Sequence, residues 1–146
     1  MSVKQINPQQ TSDILEKDPN AVYIDVRTEP EFQNGHPAKA VNIPVVLPNP
    51  ARGQMAPNPE FLGVVESRFP KETKIIVGCQ MGGRSQYAAD LLMEAGFTDV
   101  SNMQGGFGGA KDPMGRVVEP GWVQLNLPVE TRVDDSNSYS GMKKGM

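Results

Sequence analysis

Short apolar runs rich in β-branched residues alternate along this chain with stretches whose apolar residues recur at helical spacing. The runs predict four buried strands, at residues 21–26, 40–44, 73–78 and 98–103. The run "TKIIVG" (73–78) has the features of a central strand, because it is continuously apolar after its first two residues. Strands that alternate with helices predict an α/β fold, here a small, mostly parallel sheet with helices on both faces.

Helix signals fill the intervals between these strands. Three helices are predicted, from Pro8 to about Lys17, over 60–69 and over 85–96. Residues 29–35 are predicted to form one or two helical turns. Spacing predicts the buried positions of the helices over 60–69 and 85–96: Phe61, Leu62, Val65 and Phe69 in one, and Ala88, Leu91, Leu92 and Ala95 in the other.

Glycine and proline mark the segments that the periodic pattern leaves out. Residues 47–59 are predicted to form a surface loop. Arg52 in this loop is interpreted as a solvated side chain, and the alternative is that it steers anionic donors towards the site. A Gly/Pro-rich excursion over 108–130 is predicted to turn at 112–115 and to dock on the core through Trp122 and Leu125. Residues 1–133 would form a single domain, followed by a flexible tail over 134–146.

Composition and charge narrow the function classes. With 146 residues, a net charge of −3 and a pI near 5.1, the chain has no bulk basic surface for nucleic acid. No apolar stretch reaches the length of a membrane span or a signal peptide, so we expect no membrane partner and a cytoplasmic location. One cysteine and one histidine cannot form a disulfide or a cysteine-rich zinc site, and we expect neither metal nor cofactor.

The one cysteine, Cys79, directly follows the central strand and precedes the helix over 85–96. It therefore lies at the carboxyl edge of the predicted sheet, where open α/β folds bind ligands. Gly82 and Gly83 permit positive φ angles, so backbone amides of the loop could converge on the sulfur, and Arg84 adds a fixed positive charge. Amides, a helix N-terminus and a cation all favour a thiolate. A buried, unreactive cysteine and a loop that binds phosphate without catalysis are the alternatives.

Three motifs in order resemble those of the single-domain rhodanese (thiosulfate sulfurtransferase) family. "YIDVRTEPEFQNGHPAKAVNIP" (23–44) resembles its N-terminal signature, "IIVGCQMGGRS" (75–85) its active loop Cys-x-x-Gly-x-Arg-Ser, and "MQGGF" (103–107) its later Gly-Gly turn. The resemblance covers roughly residues 3–107. It implies a rhodanese-like α/β domain in which a cysteine persulfide carries sulfur from a donor to an acceptor.

By this resemblance Cys79 is the catalytic nucleophile, and the substrate-binding residues are Gln80, Met81, Gly82, Gly83, Arg84 and Ser85. Arg84 would hold the sulfonate of the donor or close the loop through a salt bridge. The implied partners are small molecules, with thiosulfate or a related persulfide as donor and cyanide, a thiol or a protein sulfur carrier as acceptor.

Two alternatives share the fold. Phosphatases and arsenate reductases of this type carry one more residue between cysteine and arginine than the four found here. Noncatalytic rhodanese-like binding modules usually lose the cysteine. Elsewhere, His36 is expected to have a structural role, and Asp25 and Arg27 are expected to form a buried ion pair that braces adjacent loops.

Overall fold

A computed structural model describes residues 3–49, 51 and 53–144 of the chain. Its helices are α1 (Pro8–Lys17), α2 (Glu29–Gln33), α3 (Phe61–Arg68), α4 (Gly83–Glu94) and α5 (Tyr139–Lys143). Its strands are β1 (Lys4–Ile6), β2 (Val22–Asp25), β3 (His36–Pro37), β4 (Val41–Asn42), β5 (Val46–Asn49), β6 (Gln54–Pro57), β7 (Ile75–Gly78), β8 (Val100–Met103), β9 (Ala110–Lys111), β10 (Val117–Glu119) and β11 (Val129–Glu130).

A five-stranded sheet in the order β1-β8-β7-β2-β4 organises the fold, and every pairing in it is parallel. All four residues of β7 are buried, as expected for the central strand. Because side chains alternate along a strand, Ile75 and Val77 face one side while Ile76 faces the other. The prediction of a small parallel sheet in an α/β fold is confirmed.

Helices cover both faces of this sheet. On the side of Ile75 and Val77, α3, α4 and α5 contribute to a core that contains Phe61, Val65, Ala88, Leu92, Tyr139 and Met142. On the side of Ile76, α1 and α2 supply Leu15 and Phe32 to a second core with Tyr23, Met103 and Trp122. This two-layer burial fixes β7 and leaves its carboxyl end open for the loop that follows.

The predicted helix faces need adjustment at four positions. Leu62, Phe69, Leu91 and Ala95 are half-buried rather than central to the core. Val64 is fully buried instead in α3, and Ala89 and Ser85 are fully buried in α4. The helix predicted to start at Ser85 begins at Gly83, because Gly82 already serves as its N-cap residue.

The predicted loop over 47–59 is wrong for most of its length. Strands β5 and β6 form an antiparallel hairpin in which Val46 pairs with Pro57 and Asn49 with Gln54. A two-stranded ribbon outside the main sheet accepts proline, because its outer edges need no partner for each backbone N–H. Arg52 lies outside the described residues.

The segment over 108–130 contains the predicted turn, where the Gly115 N–H donates to the Asp112 carbonyl at 2.9 Å between β9 and β10. Trp122 docks on the core as predicted and is 2% exposed. Leu125, predicted to dock with it, is 38% exposed. The chain around Trp122 folds as consecutive tight turns, so the side chain of Trp122 points inward while that of Leu125, three residues later, does not.

The sequence predicts a flexible tail over 134–146, whereas residues 139–143 form α5 against the core and residues 145–146 lie outside the described part of the chain. Tyr139 and Met142 lie three residues apart and are both buried. The Tyr139 hydroxyl accepts a hydrogen bond from Asn58 at 2.8 Å, and Arg68 donates to the carbonyls of Gly141 and Met142. Two buried apolar residues and these hydrogen bonds anchor a segment whose composition is otherwise polar. No helix in the described part of the chain is long and apolar enough to cross a bilayer.

Candidate active site

The cysteine loop occupies the carboxyl edge of the parallel sheet. It begins directly after β7 and runs into the N-terminus of α4. Residues that follow β8 support it from one side: the Phe107 N–H donates to the Cys79 carbonyl at 2.8 Å and the Gly108 N–H donates to the Gln80 carbonyl at 3.0 Å. A Cβ on Gly106 would lie 2.6 Å from the Cys79 carbonyl oxygen, so only glycine allows this approach.

Within the part of the chain that the structure describes, the sulfur of Cys79 makes two hydrogen bonds of opposite character. The Gly82 N–H donates to Sγ across 3.0 Å, a contact that stabilises negative charge on sulfur. The Cys79 S–H in turn donates to Ser85 Oγ at 3.4 Å. Cys79 itself is 2% exposed. The site thus combines one contact that suits a thiolate with one that suits a thiol.

Gly82 has the backbone conformation that the loop requires. Its φ of +118° lies in the left-handed region, which side chains rarely adopt. The sequence predicts the same role for Gly83, but Gly83 has no positive φ and lies within the first turn of α4. The turn that directs an amide at the sulfur therefore depends on one of the two glycines.

Arg84 forms a two-pronged salt bridge with Glu31 of α2. Its guanidinium lies 2.7 Å from Oε1 and 3.0 Å from Oε2 of the carboxylate. The hydrogen bond from Arg84, although opposed by partial burial, lowers the pKa of Glu31 to about 2. This salt bridge is one of the two arrangements that the resemblance implies for Arg84, and contact with the sulfonate of a donor stays a prediction.

Arg27 and Asp25 form the buried ion pair expected from the sequence. Their side chains are 3% and 1% exposed, and the closest nitrogen and oxygen lie 2.8 Å apart. Arg27 also donates to the side chain of Gln80 at 3.2 Å and to the Gly35 carbonyl at 2.7 Å. Its guanidinium lies 4.5 Å from the ring centre of Phe107. The pair ties the cysteine loop to the segments that follow β2 and β8.

A polar cavity of about 240 Å³ adjoins the loop on the side of β1 and β8. Met81, half of whose side chain is exposed, lines its wall together with Gly82. The other lining side chains are mostly amides: Gln5, Gln86, Asn102, Gln104 and Glu119. Met81 therefore lies at the rim of the site rather than beneath the sulfur.

His36 is fully buried and stacks on Phe32, with ring centres 3.7 Å apart. Its Nδ1 lies 2.7 Å from the Phe32 carbonyl. The ring is enclosed by this packing and by the neighbouring strand β11, with Glu130 Oε1 3.6 Å from Nε2. These contacts agree with a structural role.

Comparison with known proteins decides the family. The sequence model of the Rhodanese-like domain matches residues 7–112. The chain belongs to the rhodanese-like domain family. Among solved structures, a crystal structure of Rv0390 from M. tuberculosis superposes with a TM-score of 0.74 at 30% identity, covering 90% of this chain and all of that one.

Two plant relatives illustrate how much of this rhodanese-like chain is shared. Thiosulfate sulfurtransferase 16, chloroplastic, from Arabidopsis thaliana is 47% identical over 85 residues, 58% of this chain and 69% of the relative. Senescence-associated protein DIN1 from Raphanus sativus is 39% identical over 108 residues, 74% of this chain. The chain spans about half the length of the second relative, 51%.

Sequence reasoning missed two partners of the rhodanese-like loop, Glu31 and Asn102. Glu31 stands in a Thr28-x-x-Glu31 capping box, which would have assigned it to the start of a helix and not to the site. Asn102 lies on β8, where its side chain meets Ser85 at 2.5 Å. Its only sequence signal is a polar residue inside a buried strand next to the sheet centre.

Proposed function

We propose that this rhodanese-like domain is a sulfurtransferase that moves a sulfane sulfur through a persulfide on Cys79. The observation that carries the proposal is the position of the lone cysteine at the end of β7, with the Gly82 N–H 3.0 Å from its sulfur. The thiosulfate sulfurtransferase name of the 47%-identical relative supports the same chemistry.

The reaction proceeds in two displacements. The Cys79 thiolate attacks the outer sulfur of thiosulfate, an S–S bond forms, and sulfite leaves with the electron pair of the broken bond. An acceptor such as cyanide or a thiol then attacks the outer sulfur of the persulfide and restores the thiolate. A protein sulfur carrier could serve as acceptor by the same step. Because the chain has no second cysteine, an internal disulfide cannot resolve the persulfide.

Backbone N–H groups carry most of the stabilisation of negative charge in this proposal. Among the described residues, the two guanidinium groups near the loop already have carboxylate partners, Arg84 with Glu31 and Arg27 with Asp25. The amides of Gln80, Met81, Gly82, Gly83, Arg84 and Ser85 are the groups proposed to surround the donor and the outer sulfur. Arg84 acts by holding their loop closed.

Phosphatase or arsenate reductase chemistry is the main alternative within the fold, and a noncatalytic binding module is the other. Four residues separate Cys79 from Arg84, one fewer than in the phosphatases and arsenate reductases of this fold. Retention of Cys79, Gly82 and Arg84 favours a catalyst over a binding module.

A thiosulfate–cyanide assay tests the proposal. The protein should produce thiocyanate with multiple turnovers, and Cys79→Ser should abolish it. Arsenate and a phosphate monoester are run in parallel as substrates. Turnover of arsenate or the phosphate monoester without thiocyanate formation would favour an arsenate reductase or phosphatase over a sulfurtransferase. Inactivity towards arsenate, the phosphate monoester and thiosulfate would favour a binding module. A cytoplasmic location is part of the proposal, although the Arabidopsis relative is named chloroplastic.

A further inference from the structure

We propose that Asp90, an exposed carboxylate on α4, is a positioning residue that restrains thiolate formation at Cys79. It does so by fixing the direction of a chain of hydrogen bonds that runs from the sulfur to the helix surface. The inference rests on the proposed function only for the reaction that the sulfur performs. The hydrogen-bond chain is formed by side chains that have no role in the proposed sulfur-transfer mechanism.

The outer part of the chain consists of amides. Gln86 Nε2 donates to Asp90 Oδ1 at 3.0 Å. Gln86 Oε1 accepts from Gln5 Nε2 at 2.6 Å and from Asn102 Nδ2 at 3.3 Å. Asn102 Nδ2 also donates to Gln5 Oε1 at 3.0 Å. Two glutamines and an asparagine therefore connect the surface carboxylate to the interior.

Asp90 decides which way these amides point. An ionised carboxylate only accepts hydrogen bonds, so Gln86 must present its NH₂ to Asp90 and its oxygen to Gln5 and Asn102. Asn102 then donates with its NH₂ and turns its oxygen towards Ser85. The Ser85 contact agrees independently: 2.5 Å from Oγ to Oδ1 suits O–H···O and is shorter than the usual N–H···O range.

This direction leaves the Ser85 hydroxyl hydrogen pointing away from the sulfur. Ser85 donates to Asn102 at 2.5 Å, and its second acceptor, the Gly82 carbonyl, lies 3.1 Å away. Either choice presents an Oγ lone pair to Cys79 Sγ at 3.4 Å, which suits an S–H donor and not a thiolate. Ser85 thereby opposes the Gly82 N–H, which donates to the same sulfur.

Replacing Asp90 with Asn lets the chain reverse. The new amide can donate to Gln86, after which each amide turns over and Asn102 offers its NH₂ to Ser85. The Ser85 hydroxyl is then free to donate to a thiolate. The other titratable or charged groups around the cysteine loop in the described part of the chain are unchanged by this substitution. Tyr23 and Arg84 interact electrostatically with Cys79, Arg27 contacts Gln80, and Asp25 and Glu31 are the carboxylate partners of the two arginines.

The test is the rate of Cys79 alkylation by iodoacetamide as a function of pH in the full chain. In Asp90→Asn we expect the midpoint of the profile to move down by about half a unit to one unit, or about three- to tenfold faster alkylation near pH 6. Gln86→Leu should shift it the same way, because it frees Asn102 to turn over while it keeps the Asp90 charge. Far-UV circular dichroism checks that both variants fold.

Measurements in a Ser85→Ala background distinguish an effect of the hydrogen-bond chain from a simple effect of charge. In that background, Asp90→Asn should cause no further shift of the alkylation profile. A shift that persists without Ser85, or one that Gln86→Leu does not reproduce, would assign the effect to long-range charge and overturn the proposal. Unchanged profiles in both single variants would overturn it as well. Alkylation requires no sulfur transfer. If the variants show the expected shifts but the native protein forms no thiocyanate, the proposed function is refuted and the inference about Asp90 is not.

Discussion

Replacing Glu31 with Gln probes the salt bridge that closes the cysteine loop against α2. The two side chains form a pair of charge-assisted hydrogen bonds at 2.7 Å and 3.0 Å. Such bonds contribute about 1.5–3 kcal/mol when shielded from water. Arg84 and Glu31 are 28% and 33% exposed, so screening reduces the expected loss of unfolding free energy to about 1–2 kcal/mol.

The assay is urea denaturation at pH 7, with Glu29→Gln as the matched control. Glu29 lies in the same first turn of α2 but is exposed and makes no salt bridge within the described residues. Its substitution should change stability by less than about 0.5 kcal/mol.

The pH dependence gives the same prediction a sign. The pKa of Glu31 is lowered to about 2 in the folded protein from an ordinary 4.5, so its carboxylate stabilises the fold at pH values above the ordinary pKa. That contribution declines as the pH falls from about 4.5 towards 2. The stability gap between the native chain and Glu31→Gln should therefore be constant near neutrality and shrink in acid. Equal losses for Glu31→Gln and Glu29→Gln, or a gap that does not change between pH 7 and pH 3, would refute the reasoning.

Two further substitutions test the loop and the C-terminal excursion. Gly82→Ala places a side chain at a φ of +118°, so it should lower the unfolding free energy by about 1–3 kcal/mol and remove most thiocyanate formation by Cys79. Gly83→Ala is the control and should retain activity, because nothing lies within 4 Å of its added Cβ. Equal effects of the two substitutions would contradict the assigned role of Gly82. Trp122→Ala should lower the unfolding free energy by about 3–5 kcal/mol in urea denaturation, because Trp122 is 2% exposed. Leu125→Ala is the control, since Leu125 is 38% exposed and should cost under about 1 kcal/mol; comparable losses would show that the excursion does not dock through Trp122.

The centre of the fold could be predicted from the sequence because its signals agree with one another. The run Ile75–Gly78 is apolar, β-branched and followed by glycines and a helix pattern, and the parallel order of strands places its carboxyl end at a ligand-binding edge. Cys79 could be placed there without knowing any long-range contact.

The peripheral elements were harder to predict, for physical reasons that differ. Proline in β5 and β6 argues against strands, yet a separate two-stranded ribbon tolerates it. Helix α5 is five residues long and depends on the burial of Tyr139 and Met142, which a local composition of small polar residues conceals. Tertiary contacts outweigh local preference in both cases.

The partners of the site also lie beyond what local patterns reveal. Glu31 has a capping role within its own helix, and only the fold shows that its carboxylate also reaches Arg84, 53 residues further along the chain. Asn102 becomes meaningful only because β8 lies beside β7. Spacing in the sequence can locate the cysteine and its loop, but it does not show which distant side chains hold that loop.

Intact mass spectrometry of the protein after incubation with thiosulfate tests the central claim most directly. Cys79 is the sole cysteine, so a persulfide should appear as the mass of one added sulfur atom on the native chain and be absent from Cys79→Ser. Cyanide should remove the added mass and release an equal amount of thiocyanate. An adduct that forms equally on Cys79→Ser, or a native chain that acquires no sulfur while its thiol remains reduced, would contradict the account.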